Sequence, residues 1–115
     1  MSAQQRFRAV RKRPDHSIAI VDQMTGERIG HLGNLSLTGM MVVSERAIVE
    51  DALYQLSFTL GNGVLEHNVA VGAHQQWSAP GTVHGQQWVG FHFIDISERD
   101  ETALQQWLET AEEVE

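Results

Sequence analysis

There is no cysteine in these 115 residues. That excludes a disulfide framework, a thiolate nucleophile and a zinc site built on cysteine. Long apolar runs are missing too. The longest, residues 18–21 and 40–43, hold four residues each, far short of a membrane span. The first thirteen residues are basic and contain no apolar stretch, so no secretory signal peptide is expected and the expected compartment is the cytoplasm. Internal repeats, low-complexity tracts and interdomain linkers are also absent. A chain of this length suits one domain with a single core. Its 42% apolar and 20% charged content is ordinary for a folded chain.

Cations are scarce except at one end. Of the eight, Arg6, Arg8, Arg11, Lys12 and Arg13 fall in the first thirteen positions, which hold no acid. From Pro14 onward, Arg28, Arg46 and Arg99 face fifteen acids, a net charge of −12. A non-specific nucleic-acid binder would be basic over a broad face, and this body would repel one. A short cationic arm on an acidic body suits a compact anionic ligand or an acidic partner protein. Residues 1–13 are expected to form a flexible arm and residues 14–112 a single domain.

Signatures of catalysis are wanting as well. The histidines at 16, 31, 67, 74, 84 and 92 are scattered one per segment, without a His-Glu-x-x-His run, so no metal site is expected. No serine sits in a Gly-x-Ser-x-Gly elbow and there is no phosphate-cradling Gly-x-x-x-x-Gly-Lys loop. We therefore expect no catalytic residue, no cofactor and no enzyme.

What the chain does carry is alternation. Residues 17–22 and 27–32 read as a hairpin, and residues 39–44 as a Met- and Val-rich strand. In residues 52–60, Tyr54, Leu56, Phe58 and Leu60 share one face. Gly61, Asn62 and Gly63 supply the positive φ values of a tight turn. Strands over 64–77 and 86–93 follow, separated by a loop. In the last strand Val89, Phe91 and Phe93 oppose Trp88, Gly90 and His92. Core packing is the expected use of most of these aromatics; Trp77, at a strand end beside a loop, is the expected exception. Leu104, Trp107, Leu108 and Ala111 form one apolar stripe of a helix begun by Ser97-Glu98-Arg99-Asp100, a near capping box. Trp107 is expected to be a buried anchor. About six antiparallel strands and a C-terminal helix predict a mostly β fold, a small barrel or sandwich with the helix closing one end.

One segment between strands stands out: Asn34-Leu35-Ser36-Leu37-Thr38-Gly39. Asn and Ser hydrogen-bond readily where the backbone turns. Gly39 permits a conformation, or a close approach, that a side chain would forbid. Read as a loop, it should tolerate loss of Asn34 or Ser36 without loss of the fold.

The segment resembles the (Asp/Asn)-x-Ser-x-x-Gly motif of PilZ domains, bacterial receptors for cyclic diguanylate (cyclic di-GMP). The wider layout is similar too. An Arg-rich segment precedes the first strand, and the strand holding Gly90-Phe91-His92-Phe93 precedes a final helix over 96–108. The likeness runs over residues 6–110. It implies a six-stranded antiparallel β-barrel with a C-terminal helix, and cyclic di-GMP held between the N-terminal arginines and the motif. Carried onto this chain, the ligand-binding residues are Arg8, Arg11, Lys12, Asn34, Ser36 and Gly39. The family's Arg-x-x-x-Arg spacing is not met. Gln4 and Phe7 lie four residues before Arg8 and Arg11, and Arg8 is followed four later by Lys12. Lysine lacks the planar fork that grips phosphate and stacks on guanine. Arg11 sits where the family's second arginine is usual. The resemblance therefore implies a non-catalytic receptor that relays to a partner protein. The arginine spacing keeps open a nucleotide-independent adaptor that binds a protein partner.

Overall fold

The computed structural model describes residues 10–62, 65–110 and 112–113. In chain order the elements are β1 (Lys12–Arg13), β2 (Ala19–Asp22), β3 (Glu27–Leu35), β4 (Gly39–Ser44), β5 (Leu53–Asn62), β6 (Leu65–Pro80), β7 (Gln87–Ile96), α1 (Glu98–Thr110) and β8 (Glu112–Glu113). Six strands pair antiparallel in the order β2-β5-β6-β7-β4-β3, and β2 also pairs with β3, which closes the barrel. The short β2 does this by offering one edge to β3 and the other to β5, at Val21↔Ser57 and Asp22↔Leu56. Closure leaves the six strands no open edge along the seam. Of the two architectures the alternation allowed, the chain adopts the barrel.

The interior follows the predicted alternation. Leu56, Phe58 and Leu60 of β5, Met40 and Val42 of β4, and Val89, Phe91 and Phe93 of β7 are buried in one core. Tyr54 meets Phe91 edge to face with centroids 5.6 Å apart, an arrangement aromatic quadrupoles favour. Gly61 adopts φ of 95°, but it and Asn62, read from sequence as turn, belong to β5 and pair with Glu66 and Leu65; Gly63 lies outside the described residues.

Several strand ends differ from the sequence reading. β3 runs on to Leu35, β6 to Pro80 and β7 to Ile96. Polar residues there, such as Asn34 and Ser78, face away from the core, and ladder pairing rather than apolar pattern extends the strands. Lys12 and Arg13, expected in a flexible arm, form β1, paired through Lys12↔Leu35 to β3 and through Lys12↔Glu113 and Arg13↔Glu112 to β8. Residues 1–9 of that arm lie outside the described residues.

The helix closes one end of the barrel, as expected, through Leu104, which is 0% exposed. Trp107 and Leu108 pack on the core but are only half-buried, so Leu104 rather than Trp107 is the anchor. Ser97 caps the helix: its Oγ accepts from the Asp100 N–H at 3.1 Å. The Asp100 carboxylate does not complete a capping box. It turns to the barrel instead, accepting from the Ala70 N–H at 3.1 Å and meeting His67 Nε2 at 2.8 Å.

Candidate functional site

Two β3 features aim the motif. Its N-terminal half pairs with β2 and its far end with β1, so both occupy the same edge of the strand. Pro14, which has no N–H to give a ladder, follows β1 and separates the two pairings. A bulge between Leu32 and Asn34 then breaks the β3–β4 register. Leu32 and Leu35 both face the core, and the two residues between them, Gly33 and Asn34, both face outward. The bulge thereby presents Asn34 on the outer surface, beside the arriving arm.

Arg11 reaches that position. Its Nη1 donates to Asn34 Oδ1 at 2.5 Å. Partial burial lowers the Arg11 pKa from its ordinary value, and an arginine remains charged through any such shift. The fork keeps donors beyond the one given to Asn34, so this edge presents a planar cation with a neutral amide aligned against it. Such a pair suits phosphate oxygens and the O6/N7 edge of guanine. Lys12, the next residue, is half-buried within β1.

The rest of the motif faces the other way. Ser36 is 0% exposed. Its Oγ accepts from the N–H groups of Gly39 at 3.2 Å and Thr38 at 3.3 Å and lies 3.2 Å from the Gly39 carbonyl. The Ser36 N–H also donates to that carbonyl, at 2.9 Å. The hydroxyl is thus committed to closing the β3–β4 turn. Gly39 is buried at the start of β4, opposite His92 of β7. Its φ is not positive; a Cβ there would instead collide with the Phe91 carbonyl oxygen. Of the two reasons for glycine at this position, close approach is the one that applies. Asn34 and Leu35, read from sequence as loop, belong to β3, and only residues 36–38 form the turn.

The structure thus brings Arg11, Lys12 and Asn34 together on one edge and places Ser36 and Gly39 beneath it; Arg8 lies outside the described residues. The sequence reading missed the bulge that aims Asn34. Its one signal was Gly33, where a Cβ would lie 2.6 Å from Met41 Cε and 2.8 Å from its Sδ.

The PilZ domain family model matches residues 4–110, nearly the whole chain. This chain belongs to the PilZ domain family. Among solved structures, this PilZ domain resembles the Bacillus subtilis inhibitor of motility MotI/DgrA, with a TM-score of 0.73 and 18% identity over 91% of this chain and 50% of that one. It resembles Escherichia coli YcgR in complex with c-di-GMP, with a TM-score of 0.70 and 18% identity over 91% and 45% of the two chains. The PilZ domain of YcgR with c-di-GMP matches at a TM-score of 0.66 and 22% identity, over 89% of this chain and 88% of that one. The chain spans about half the length of the first two. At these identities the likeness is one of fold. No curated protein matches the sequence.

Proposed function

We propose that this PilZ domain is a non-catalytic receptor for cyclic di-GMP that binds the nucleotide between its N-terminal arm and the Asn34 edge and relays its presence to a partner protein. The observation that carries the reading is the Arg11–Asn34 hydrogen bond. It joins the arm, the one strongly basic part of an acidic chain, to the outward-facing Asn34 of the family motif. One structurally similar protein, YcgR, was captured with this nucleotide in two solved structures. Arg11 and Asn34 make the direct contacts, with Arg8 as a second arginine and Lys12 as a point charge. Ser36 and Gly39 act by holding the turn that fixes β3 against β4.

Titration calorimetry with cyclic di-GMP, with a single-stranded oligonucleotide as control, tests the reading. Binding of the nucleotide alone, weakening as salt rises, is expected. Deleting residues 1–12 should abolish it. Unchanged affinity after that deletion removes the arm from the site. No binding by the intact chain at millimolar nucleotide and low salt leaves the nucleotide-independent adaptor in its place, the reading that the Arg8–Lys12 spacing favours.

A further inference from the structure

The apolar stripe of α1 predicts a buried Trp107, but the barrel does not supply the cover. Leu104 is the buried residue of the helix, and Trp107 stays half-buried. The neighbouring hairpin overhangs. β5 and β6 pair as far as Asn62↔Leu65, whereas the β2–β5 pairing reaches only Val21↔Ser57. The hairpin tip therefore runs past the barrel seam and stands beside the second half of α1.

Between them lies a groove of about 420 Å³, with Leu60, Leu65, Ala103 and Trp107 in its lining. Leu65 is 82% exposed, so a leucine and an indole share one open cleft. Isolated apolar residues on a surface are ordinary, but several converging on one concavity with a polar rim mark a docking site. The rim is acidic. Glu66 lines the groove, and α1 carries Glu98, Asp100, Glu101 and Glu109 against Arg99 alone. His67, also in the lining, is engaged by Asp100 at 2.8 Å. The last turn of α1 holds no cation, and the negative end of the helix dipole lies there.

We propose that this groove docks a basic, amphipathic segment of a partner protein. An apolar side chain enters between Leu65 and Trp107, and flanking lysines or arginines meet the acids of α1. Burial of the indole and the leucine supplies affinity, while the charges select the partner and speed its arrival. A second copy of this chain fits poorly, because residues 14–115 carry a net charge of −12 and like bodies repel. The groove shares no residue with the Arg11, Lys12 and Asn34 edge. The inference therefore goes beyond the nucleotide reading and holds for receptor and adaptor alike.

The test titrates the full chain, without nucleotide, with a short synthetic peptide of leucines flanked by lysines. Two control peptides carry glutamate in place of lysine, or serine in place of leucine. Nitrogen–proton NMR follows the Trp107 indole N–H, identified by the peak that Trp107→Phe removes, with the Trp77 and Trp88 indoles as internal controls. The lysine–leucine peptide should move the Trp107 resonance alone, saturably, and each control should bind at least about tenfold more weakly. Leu65→Ser should weaken the lysine–leucine peptide about tenfold and leave the melting temperature within about 3 °C of wild type. A Trp107 resonance unmoved at millimolar peptide, or moved equally by the glutamate peptide, overturns the proposal and leaves the nucleotide reading standing. So does wild-type affinity in Leu65→Ser; if that variant fails to fold, the peptide comparison decides. Sedimentation showing a dimer that Leu65→Ser dissolves would give the groove to a second copy. A Trp107 resonance displaced by deleting residues 1–9 would give it to the chain's own arm, and either result overturns the proposal.

Discussion

Asn34 and Ser36 are two residues apart and do opposite work. Asn34 faces outward from β3 and accepts from Arg11. Ser36 is sealed inside, its hydroxyl spent on Thr38, Gly39 and the turn they make, and Gly39 lets β4 approach the Phe91 carbonyl. One family motif is thus part contact and part scaffold. The difference teaches that losing a motif residue can abolish binding by two routes, and that only a stability measurement alongside the affinity separates them.

The most damaging way to probe the scaffold side is Gly39→Val. The new side chain would drive into the β7 backbone, and overpacking of that kind costs about 3 kcal/mol or more where main chain must move. Chemical denaturation should show a large loss or no folded protein. Wild-type stability would mean that β4 and β7 are not so close.

Ser36→Ala should cost less, about 1–3 kcal/mol, the range for buried partners left unpaired. The sequence reading expected the fold to survive this change; the burial of Ser36 adds a cost in stability to that expectation. Any loss of nucleotide affinity should track the loss of stability. Asn34→Ala should show the converse: stability within about 0.5 kcal/mol, as for an exposed polar contact, but nucleotide affinity reduced by about 1–3 kcal/mol. Equal behaviour of the two variants in both measurements would erase the distinction between contact and scaffold.

The smallest effect sharpens the comparison from elsewhere, at the helix seat. Desolvation pushes the Asp100 carboxyl up, but hydrogen bonds from His67 and the Ala70 N–H and the attraction of His67 together outweigh it, and its pKa lies below the ordinary value. A carboxyl with a depressed folded pKa adds stability that is full above the unfolded value of about 3.9 and is lost as pH falls through the folded one. Asp100→Asn should therefore flatten the fall in melting temperature below about pH 4. Nucleotide affinity at neutral pH should be unaffected, since Asp100 holds the helix and not the Asn34 edge.

How far the sequence carried the fold follows from which residues obey a period of two. Leu56-x-Phe58-x-Leu60 and Val89-x-Phe91-x-Phe93 announce their strands and their inward faces. The bulges beside Asn34 and Trp77 do not announce themselves. At Gly33 the pattern slips by one and turns Asn34 outward, and between Gln75 and Trp77 it slips again and turns an indole outward. A slip of register changes no composition and leaves only a glycine or a misplaced aromatic as its trace. The burial of Ser36 is illegible for a related reason. Serine in a turn looks solvated, and only pairing across the hairpin shows its hydroxyl enclosed. The pairing of Lys12–Arg13 with β3 was illegible because cations carry no strand signal, and the partner's edge is what orders them.

The central claim is that arm and motif act as one clamp, and a double-mutant cycle on Arg11 and Asn34, read by cyclic di-GMP affinity, tests it most directly. Residues that share one ligand contact couple, whereas independent sites add to within about 0.5 kcal/mol. Arg11→Ala and Asn34→Ala should each weaken binding, and the double variant should lose at least about 1 kcal/mol less than the two losses combined. Losses that simply add, or a nucleotide affinity that neither substitution changes, would contradict the account.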